Sequence, residues 1–378
     1  MPASPSSSVL VVGAGIVGMA AAWQLAEQGH AVTLVDPRLG SGHAEPSGSA
    51  AALGILMAQV FHRSSGRAWR LRQQSHALWN AWLAELTRRG YVLPRRQGLL
   101  LLAASDDDLQ KQERIAADRK RLGIPMQQLG PADLAGFQPA LPGHPLGALL
   151  SPEDGQLDPG PVMAAMQAEA TKAGVHCVAE QAVEIERQRP WRLHLASGEH
   201  LEAEWLVLAL GMGTAPLLAS IGLELPLEPV LGQALELELA SDPRWQWPGA
   251  VVWQGVNLVP RPDLQPGGRR LWLGATLEPG ALASPEALEH LRHLGGDAPK
   301  WLEHASVVRQ WQGLRCHPQG RPAPVLEEPE PGLLVASGHY RNGVLLAPAT
   351  AAWLCERIGG ASPVVPGSAR RARALGGP

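Results

Sequence analysis

The sequence predicts a two-domain α/β (α+β) protein in which a parallel-sheet domain is interrupted by an antiparallel-sheet domain. Two observations support this prediction. Residues 9–36 contain a β-branched run, a glycine-rich turn, a helical run and a second apolar run, as in a parallel βαβ unit. Residues 229–277 alternate apolar and polar positions between Pro/Gly turns, which is typical of antiparallel strands. The 378 residues are enough for two packed domains.

The first turn carries glycines spaced as Gly13-x-Gly15-x-x-Gly18. Gly13 permits a tight turn, Gly15 lets the backbone approach a pyrophosphate, and Gly18 lets the helix pack closely on the strand. The helix N-terminus offers unpaired N–H groups to phosphates. Asp36, which ends the second strand, can accept hydrogen bonds from ribose hydroxyls. The unit predicts a Rossmann-type dinucleotide site; the alternative is a packing turn in an ordinary α/β unit.

The elements up to residue 161 follow from periodicity and from turn residues. Leucine and tryptophan recur at helical spacing after residue 64, and the later stretches are assigned by the same criteria. In order, the pattern predicts a ligand-wrapping loop over 38–54 with a helix start near Ser49, a helix over 64–90, a strand over 98–103, an exposed helix over 106–122 and a Pro/Gly-rich region up to Pro161.

The remaining elements are predicted in the same way: a helix over 161–174, strands over 175–178, 182–187, 191–196 and 205–210, the antiparallel region 229–277, a helix over 284–304, strands over 306–311 and 333–336, and a helix over 344–358. Residues 205–210 (WLVLAL) are continuously apolar, as in a parallel strand buried on both faces. At the Gly211-Met212-Gly213 turn that follows, backbone can again approach a ligand.

These elements predict a discontinuous domain organisation, with a ligand site in the crevice between the domains. The predicted dinucleotide domain consists of residues 1–60, 155–225 and 312–360, and the substrate domain of residues 61–154 and 226–311. Residues 361–378 follow Pro/Gly/Ser-rich sequence and are predicted to form a flexible tail.

Composition argues against several classes of protein. The formal net charge is −3 and no basic cluster is present, so a nucleic-acid partner is not expected. Three distant cysteines without CxxC spacing predict no metal site and suit a reducing compartment. The N-terminus MPASPSSS lacks a basic residue and is a poor signal peptide. The apolar run 9–26 contains turn glycines and Gln24, which favours a buried βα unit over a membrane span. We therefore predict a cytoplasmic protein.

The C-terminal part of the sequence completes the predicted site. A strand over 333–336 runs into Gly338-His339-Tyr340-Arg341-Asn342-Gly343, and a helix follows. The bracketing glycines form a turn that feeds a second helix N-terminus, which suits the far end of a long cofactor. This arrangement indicates FAD in an extended form. Because a flavin carries the redox chemistry itself, no catalytic side chain is predicted.

Several segments resemble the D-amino-acid oxidase (DAO) superfamily of flavoproteins, and most closely its glycine oxidases: VVGAGIVG, the loop ending SAAALG, LVPRPDLQPGGRRLWLGAT, WQGLRCHPQGRPAP and, most specifically, SGHYRNGVLLAPAT. The resemblance covers about residues 8–360. It implies oxidative deamination of a small amino acid or amine. Hydride would pass from Cα of the neutral amine to flavin N5, the imine would hydrolyse to an oxo acid and ammonia, and oxygen would reoxidise the flavin with release of hydrogen peroxide.

The resemblance also implies the cofactor-binding residues. Ile16 and Val17 match the pyrophosphate turn, Val183 matches a backbone contact to adenine, and residues 340–346 match the isoalloxazine end. Together with the motif residues above, the predicted FAD-binding residues are Gly13, Gly15, Ile16, Val17, Gly18, Asp36, Pro37, Gly48, Ser49, Leu53, Gly54, Ile55, Val183, Gly211, Gly338, Tyr340, Arg341, Asn342, Gly343, Val344, Leu345 and Leu346.

Arg315 and Arg341 match the two arginines that clamp the substrate carboxylate in the family. A guanidinium presents planar, paired donors that fit a carboxylate, although a structural pairing is the alternative. The roof of the substrate site departs from the glycine oxidases, because Gly255 and Asn257 replace a histidine and a tyrosine. Asn257 can still bind an amine or a carboxylate. Gly255 leaves room for a larger or secondary amine, such as sarcosine, proline or a longer D-amino acid.

Two further positions depart from the glycine oxidases: Leu277 replaces a methionine, and Cys316 replaces a proline. The sequence also leaves alternatives open: a D-amino-acid or secondary-amine dehydrogenase that uses a quinone or another carrier, a flavin-binding protein without amine turnover, and an RNA-modifying flavoenzyme, which the lack of a basic run disfavours. The expected partners are a small amine or amino acid, and oxygen or an electron carrier; a homo-oligomer is possible. Cys316 and His339 are candidates for covalent flavin attachment.

Overall fold

The structure is a computed structural model that describes residues 6–39, 48–264 and 268–360. The predicted tail and part of the predicted 38–54 loop lie outside the described residues. Within these ranges the strands are β1 (Ser8–Val12), β2 (Ala31–Val35), β3 (Ile55–Leu56), β4 (Arg95–Ala103), β5 (Gln127–Leu129), β6 (Gly147–Leu157), β7 (His176–Val178), β8 (Ala182–Glu186), β9 (Trp191–Leu195), β10 (His200–Ala203), β11 (Trp205–Leu208), β12 (Leu227–Glu238), β13 (Ala250–Trp253), β14 (Val256–Arg261), β15 (Arg270–Gly274), β16 (Glu278–Pro279), β17 (Ser306–Pro318), β18 (Val325–Glu330) and β19 (Leu333–Ser337).

The helices of the described residues connect these strands, and 3-10 turns lie at Pro37–Leu39, Gly211–Gly213, Leu294–Gly296 and Tyr340–Asn342. The α-helices are α1 (Ile16–Glu27), α2 (Gly66–Arg88), α3 (Asp106–Arg121), α4 (Pro131–Leu134), α5 (Pro159–Lys172), α6 (Thr214–Ala219), α7 (Pro285–Arg292), α8 (Lys300–Glu303) and α9 (Gly343–Gly359).

The first sheet has the strand order β18-β19-β11-β1-β2-β7, and all of its neighbours are parallel except β18 and β19. Strand alternation sends successive β1 side chains to opposite faces. Val9 and Val11 pack into the core under α1, α5 and α9. Leu10 and Val12 pack against α6 and the small antiparallel sheet β8-β9-β10. The sheet is therefore covered on both faces, and the predicted Rossmann-type domain is confirmed.

The second sheet has the strand order β16-β12-β15-β14-β13-β4-β6-β3, with β17 paired to β12 and β5 paired to β6. Most of its pairs are antiparallel, as predicted, but β13 runs parallel to β4. One face buries Leu237, Trp253 and Leu273 together with residues of α7 and α8. The other face carries Leu53, Ala234 and Trp272. Trp311 Nε1 donates a hydrogen bond to Ala51 O (3.0 Å), which ties this sheet to the segment before β3.

The strands show where the predicted segment boundaries differ from the packing. The boundaries at 155 and 312 fall inside β6 and β17, which are continuous strands of the second sheet. Helix α2, which the prediction placed in the substrate domain, buries Trp79 and Trp82 in the core of the parallel sheet. The sequence patterns that set these boundaries do not show long-range strand pairing or the packing of α2 on α9.

Two local predictions are also corrected. The helix predicted over 284–304 is divided into α7 and α8, because Gly295 and Gly296 have φ values of 68° and 105°. The chain near Ser49 forms a turn, and no helix begins there. Among the described residues, no helix is long and apolar enough to cross a membrane, and His, Cys, Asp and Glu side chains form no cluster of three that could hold a metal ion.

Candidate cofactor and substrate site

A cavity of about 1830 Å³ runs between the two sheets. Its wall includes residues of the β1–α1 turn, β8, β14, β17 and the start of α9. Sites for a single small molecule usually enclose about 300–1,000 Å³. The cavity is therefore large enough for an extended cofactor together with a substrate.

The β1–α1 turn is held open by backbone bonds. Gly13 has φ 104°, and its N–H donates to Val35 O (2.8 Å). The Asp36 carboxylate accepts hydrogen bonds from Ala14 N–H at Oδ2 (2.8 Å) and from Arg38 N–H at Oδ1 (2.9 Å). Each carboxylate oxygen can accept a further hydrogen bond, and Asp36 lines the cavity, so a ribose hydroxyl can bind here. This arrangement fits the ribose-diphosphate part of FAD.

Ser49 closes on the same turn from the other side. Its Oγ accepts the Ile16 N–H at 3.0 Å, and a Cβ added to Gly15 would lie 3.2 Å from that oxygen. The serine therefore occupies one donor of the α1 N-terminus, while Gly15 keeps the backbone open to a ligand.

Three predicted FAD-binding residues lie behind the cavity wall. A Cβ on Gly18 would lie 1.9 Å from Gly13 O, so this glycine permits contact between helix and strand. Leu345 and Leu346 are buried in the core, where Trp79 Nε1 donates to Leu345 O (3.1 Å). The remaining predicted residues line the cavity: Gly13, Gly15, Ile16, Val17, Asp36, Pro37, Gly48, Ser49, Leu53, Gly54, Ile55, Val183, Gly211, Gly338, Tyr340, Arg341, Asn342, Gly343 and Val344, with Asn257 and Arg315.

The turn before α9 is anchored from inside the protein. His339 is buried, and its Nε2 lies 2.9 Å from Thr350 Oγ1 on α9. Arg72 Nη2, on α2, donates to Asn342 Oδ1 (3.0 Å). Tyr340 lies between them with φ 52°, in the left-handed region that side chains rarely adopt. These contacts fix the α9 N-terminus at the cavity wall.

The buried imidazole makes stability depend on pH. Burial, with a smaller contribution from Arg67, lowers the pKa of His339 from 6.5 to about 4. Between these two pH values the unfolded chain therefore binds more protons than the folded one. The contribution of His339 to the free energy of unfolding is complete above pH 6.5 and is lost as the pH falls toward 4, by up to about 3 kcal/mol. His339→Gln is expected to flatten the fall in Tm between about pH 7 and pH 4.5. Parallel curves of Tm against pH for the variant and the wild type would contradict this expectation.

Arg315 is held by the second sheet. Its Nη1 donates to Leu231 O (3.1 Å) and Thr276 O (3.0 Å). Burial, followed by the nearby charge of Arg341, lowers the pKa of Arg315, while Tyr340 and Glu278 act in the opposite direction. Among the described residues, no carboxylate forms an ion pair with Arg315 or Arg341, and both line the cavity. Two close guanidinium groups without a carboxylate partner suit an anionic ligand.

Gly232, on β12, makes room for this guanidinium. A Cβ at this position would lie 2.3–2.5 Å from the Arg315 Nη1, Nη2 and Cζ atoms. Because the clash involves a flexible side-chain end, Gly232→Ala is expected to fold and retain FAD. The displaced Arg315 should weaken binding of a carboxylate ligand about tenfold or more. Titration of acetate, followed through the flavin absorbance, would measure this; an unchanged Kd would contradict it.

Asn257 carries an unused acceptor. Its Nδ2 donates to Gly274 O (3.0 Å), while its Oδ1 is buried and has no partner among the described residues. An unpaired buried acceptor costs about 1–3 kcal/mol, so a ligand N–H would stabilise it. Gly255 and Leu277, two of the positions that depart from the glycine oxidases, also line the cavity.

The sequence missed Arg72, Thr276 and Glu278, which also line the cavity. Arg72 could have been found, because it lies on the buried face of α2 with Trp69 and Trp79. A charged residue on an apolar helical face is a signal in its own right. Thr276 contacts Arg315 through its backbone oxygen, and no side-chain pattern reveals such a contact.

The two candidates for covalent attachment both line the cavity. Cys316 Sγ lies 3.8 Å from Ser337 Oγ, and burial raises the pKa of its thiol. His339 is engaged by Thr350. Attachment through either residue stays a prediction.

Comparison with known proteins identifies the family. The family model described as FAD dependent oxidoreductase (DAO) matches residues 8–357. The chain belongs to this family. FAD is therefore its cofactor, and the predicted family, fold class and cofactor are confirmed.

Individual relatives span nearly the whole chain. The glycine oxidase of Geobacillus kaustophilus is 32% identical over 93% of this chain and 92% of its own length. The crystal structure of glycine oxidase from Geobacillus kaustophilus has a TM-score of 0.81 at 30% identity and covers 93% of this chain and 94% of that one. D-amino acid dehydrogenase 3 of Mesorhizobium japonicum is 24% identical over 93% of this chain and 96% of its own length.

Proposed function

We propose that this protein catalyses the FAD-dependent oxidation of a small amino acid or amine at its Cα–N bond, with oxygen as the electron acceptor. The observation that carries the proposal is the pair Arg315 and Arg341, which present guanidinium groups to the FAD cavity without a carboxylate partner among the described residues. A glycine oxidase that is 32% identical supports the reaction class.

FAD, when bound, supplies the two-electron acceptor. The chain supplies position: Arg315 and Arg341 bind the substrate carboxylate, and the bonds of Arg315 to Leu231 O and Thr276 O fix its direction. The unpaired Oδ1 of Asn257 accepts an N–H of the neutral amine. A substrate held at both its carboxylate and its nitrogen has a fixed Cα orientation, and such orientation lowers the barrier by several kcal/mol.

The proposed mechanism uses no side chain as acid or base. His339 lines the cavity, but its Nε2 is engaged by Thr350, and burial keeps the imidazole neutral near pH 7. The imine formed from a primary amino acid takes up water and releases an oxo acid and ammonia. Oxygen receives the two electrons and two protons as hydrogen peroxide.

Anaerobic bleaching of the flavin tests the proposal. The purified holoprotein would be mixed with glycine, sarcosine, D-alanine and D-proline without oxygen, and the loss of flavin absorbance recorded. We expect at least one of them to bleach the flavin, and air to restore the colour with one hydrogen peroxide per imine. An intact flavin with these and other amino acids would overturn the proposal and favour a flavin-binding protein without amine turnover.

A second candidate is a dehydrogenase that passes electrons to a quinone or another carrier. The relative named D-amino acid dehydrogenase 3, which is aligned over 93% of this chain, favours it. The same reduced protein distinguishes the two functions. Rapid reoxidation by a soluble quinone, with slow reoxidation by air and little peroxide, would identify the dehydrogenase.

A further inference from the structure

Arg72 is a buried cation on the cavity wall that the proposed function does not use. The residue is 9% exposed, and its guanidinium carbon lies 3.9 Å from the centre of the Phe61 ring. Nη1 donates to Ala68 O (3.3 Å), Nη2 donates to Asn342 Oδ1 (3.0 Å), and Nε is buried without a partner among the described residues. No described carboxylate forms an ion pair with Arg72.

The surroundings of Arg72 carry charge of the same sign. Asn342 precedes α9, whose N-terminus bears a partial positive charge, and its side-chain oxygen binds Arg72 and does not cap the helix. Burial, Arg63 and Arg72 all lower the pKa of His62, which also lines the cavity. A buried guanidinium beside a helix N-terminus is unfavourable unless negative charge lies opposite. The cavity is the place from which that charge can come.

The proposed function assigns the substrate carboxylate to Arg315 and Arg341, and not to Arg72. Arg315 is held by the second sheet, and the charged or titratable groups that act on it are Arg341, Tyr340 and Glu278. Arg72 lies on α2, which packs on α9 in the core of the parallel sheet. Arg72 and Arg315 are therefore held by different elements, α2 and β17.

The occupant expected beside α9 is the isoalloxazine end of FAD, as the proposed function requires. When a flavin is reduced, negative charge collects on its N1–C2=O edge, and nearby charge tunes that step. We propose that Arg72 stabilises the negative charge of the reduced flavin ring. Arg72 thereby raises the midpoint potential of the bound FAD.

Sulfite provides a direct probe of this charge. Its sulfur lone pair forms a bond to flavin N5, and the negative charge moves onto the N1–C2=O edge without any other reactant. We expect Arg72→Gln to weaken sulfite binding at least tenfold and to make the midpoint potential more negative. Arg72→Lys, which keeps the charge, should fall between the variant and the wild type. Arg70→Gln removes an exposed cation from the same helix and should match the wild type within twofold.

Each outcome decides the inference. Unchanged sulfite affinity and midpoint potential in an FAD-loaded Arg72→Gln protein would overturn it, and the potential alone decides if the wild type forms no adduct. If Arg72→Gln does not retain FAD, Arg72→Met with excess FAD replaces it; failure of both neutral variants to fold would show a structural role and also overturn the inference. A wild type that no amine bleaches, but whose sulfite affinity depends on Arg72, would overturn the proposed function and support the inference about Arg72.

Discussion

Arg315→Met is expected to lower kcat/KM for the substrate amine roughly 10²-fold or more while FAD remains bound. Loss of one partner from a buried charge-assisted pair costs about 2–5 kcal/mol, and 1.4 kcal/mol corresponds to a factor of ten. Arg315 is bonded to Leu231 O and Thr276 O of the second sheet, so its loss leaves the β1–α1 turn and Asp36 intact. The flavin spectrum should therefore be preserved.

Steady-state kinetics and anaerobic bleaching would measure the effect, and Arg309→Met provides the matched control. Arg309 lies on the same strand, β17, but it pairs with Glu236 (3.4 Å) and does not line the cavity. Its loss should change kcat/KM by no more than about twofold, because the Arg309 side chain is 55% exposed and an ion pair of this kind contributes little. If Arg315→Met retains wild-type kcat/KM, the guanidinium is structural and the proposed substrate clamp is wrong.

Much of the cofactor end could be predicted because its signals are local in sequence. The β1–α1 turn needs glycines at fixed spacing within six residues, and Asp36 follows one helix and one strand later. The two arginines were found through segments that resemble the DAO superfamily, and the structure brings both to the cavity that this turn also lines. Their role in binding substrate stays a prediction.

The second sheet was harder to predict because its stability comes from distant partners. Strand β6 contains Pro152 and Gly155, so its sequence resembles a loop. In the structure Gly155 has φ 156°. The segment is a strand because β4 pairs with it on one edge and β3 and β5 also pair with it. The hydrophobic pattern within β6 gives no information about these partner strands.

Arg72 illustrates a different limit. The α2 periodicity was recognised, but the charge on its apolar face gained significance only when α9 was found packed against it. A buried arginine in isolation is compatible with a structural bond to a carbonyl, such as its bond to Ala68 O. Arg72 differs from such a structural arginine because it also binds Asn342 and lines the cavity.

Gly18→Ala is expected to abolish or severely weaken FAD binding, although Gly18 itself does not line the cavity. The added Cβ would lie 1.9 Å from Gly13 O, and a backbone oxygen cannot rotate away as a side chain can. Helix α1 must therefore move off β1, and this displaces the Ile16 N–H and the turn that faces the phosphates. Overpacking of this kind costs about 1–3 kcal/mol or more.

Reconstitution of the apoprotein with FAD, followed by fluorescence quenching, would measure the change, with a fall in Tm expected beside it. Gly160→Ala is the matched control: Gly160 lies in the first turn of α5, and its nearest contact for a Cβ is Asp158 Oδ1 at 3.7 Å. That variant should bind FAD like the wild type, because ordinary contact distance needs no movement of the helix. Wild-type FAD affinity in Gly18→Ala would mean that close approach of α1 to β1 does not position the phosphate-binding turn.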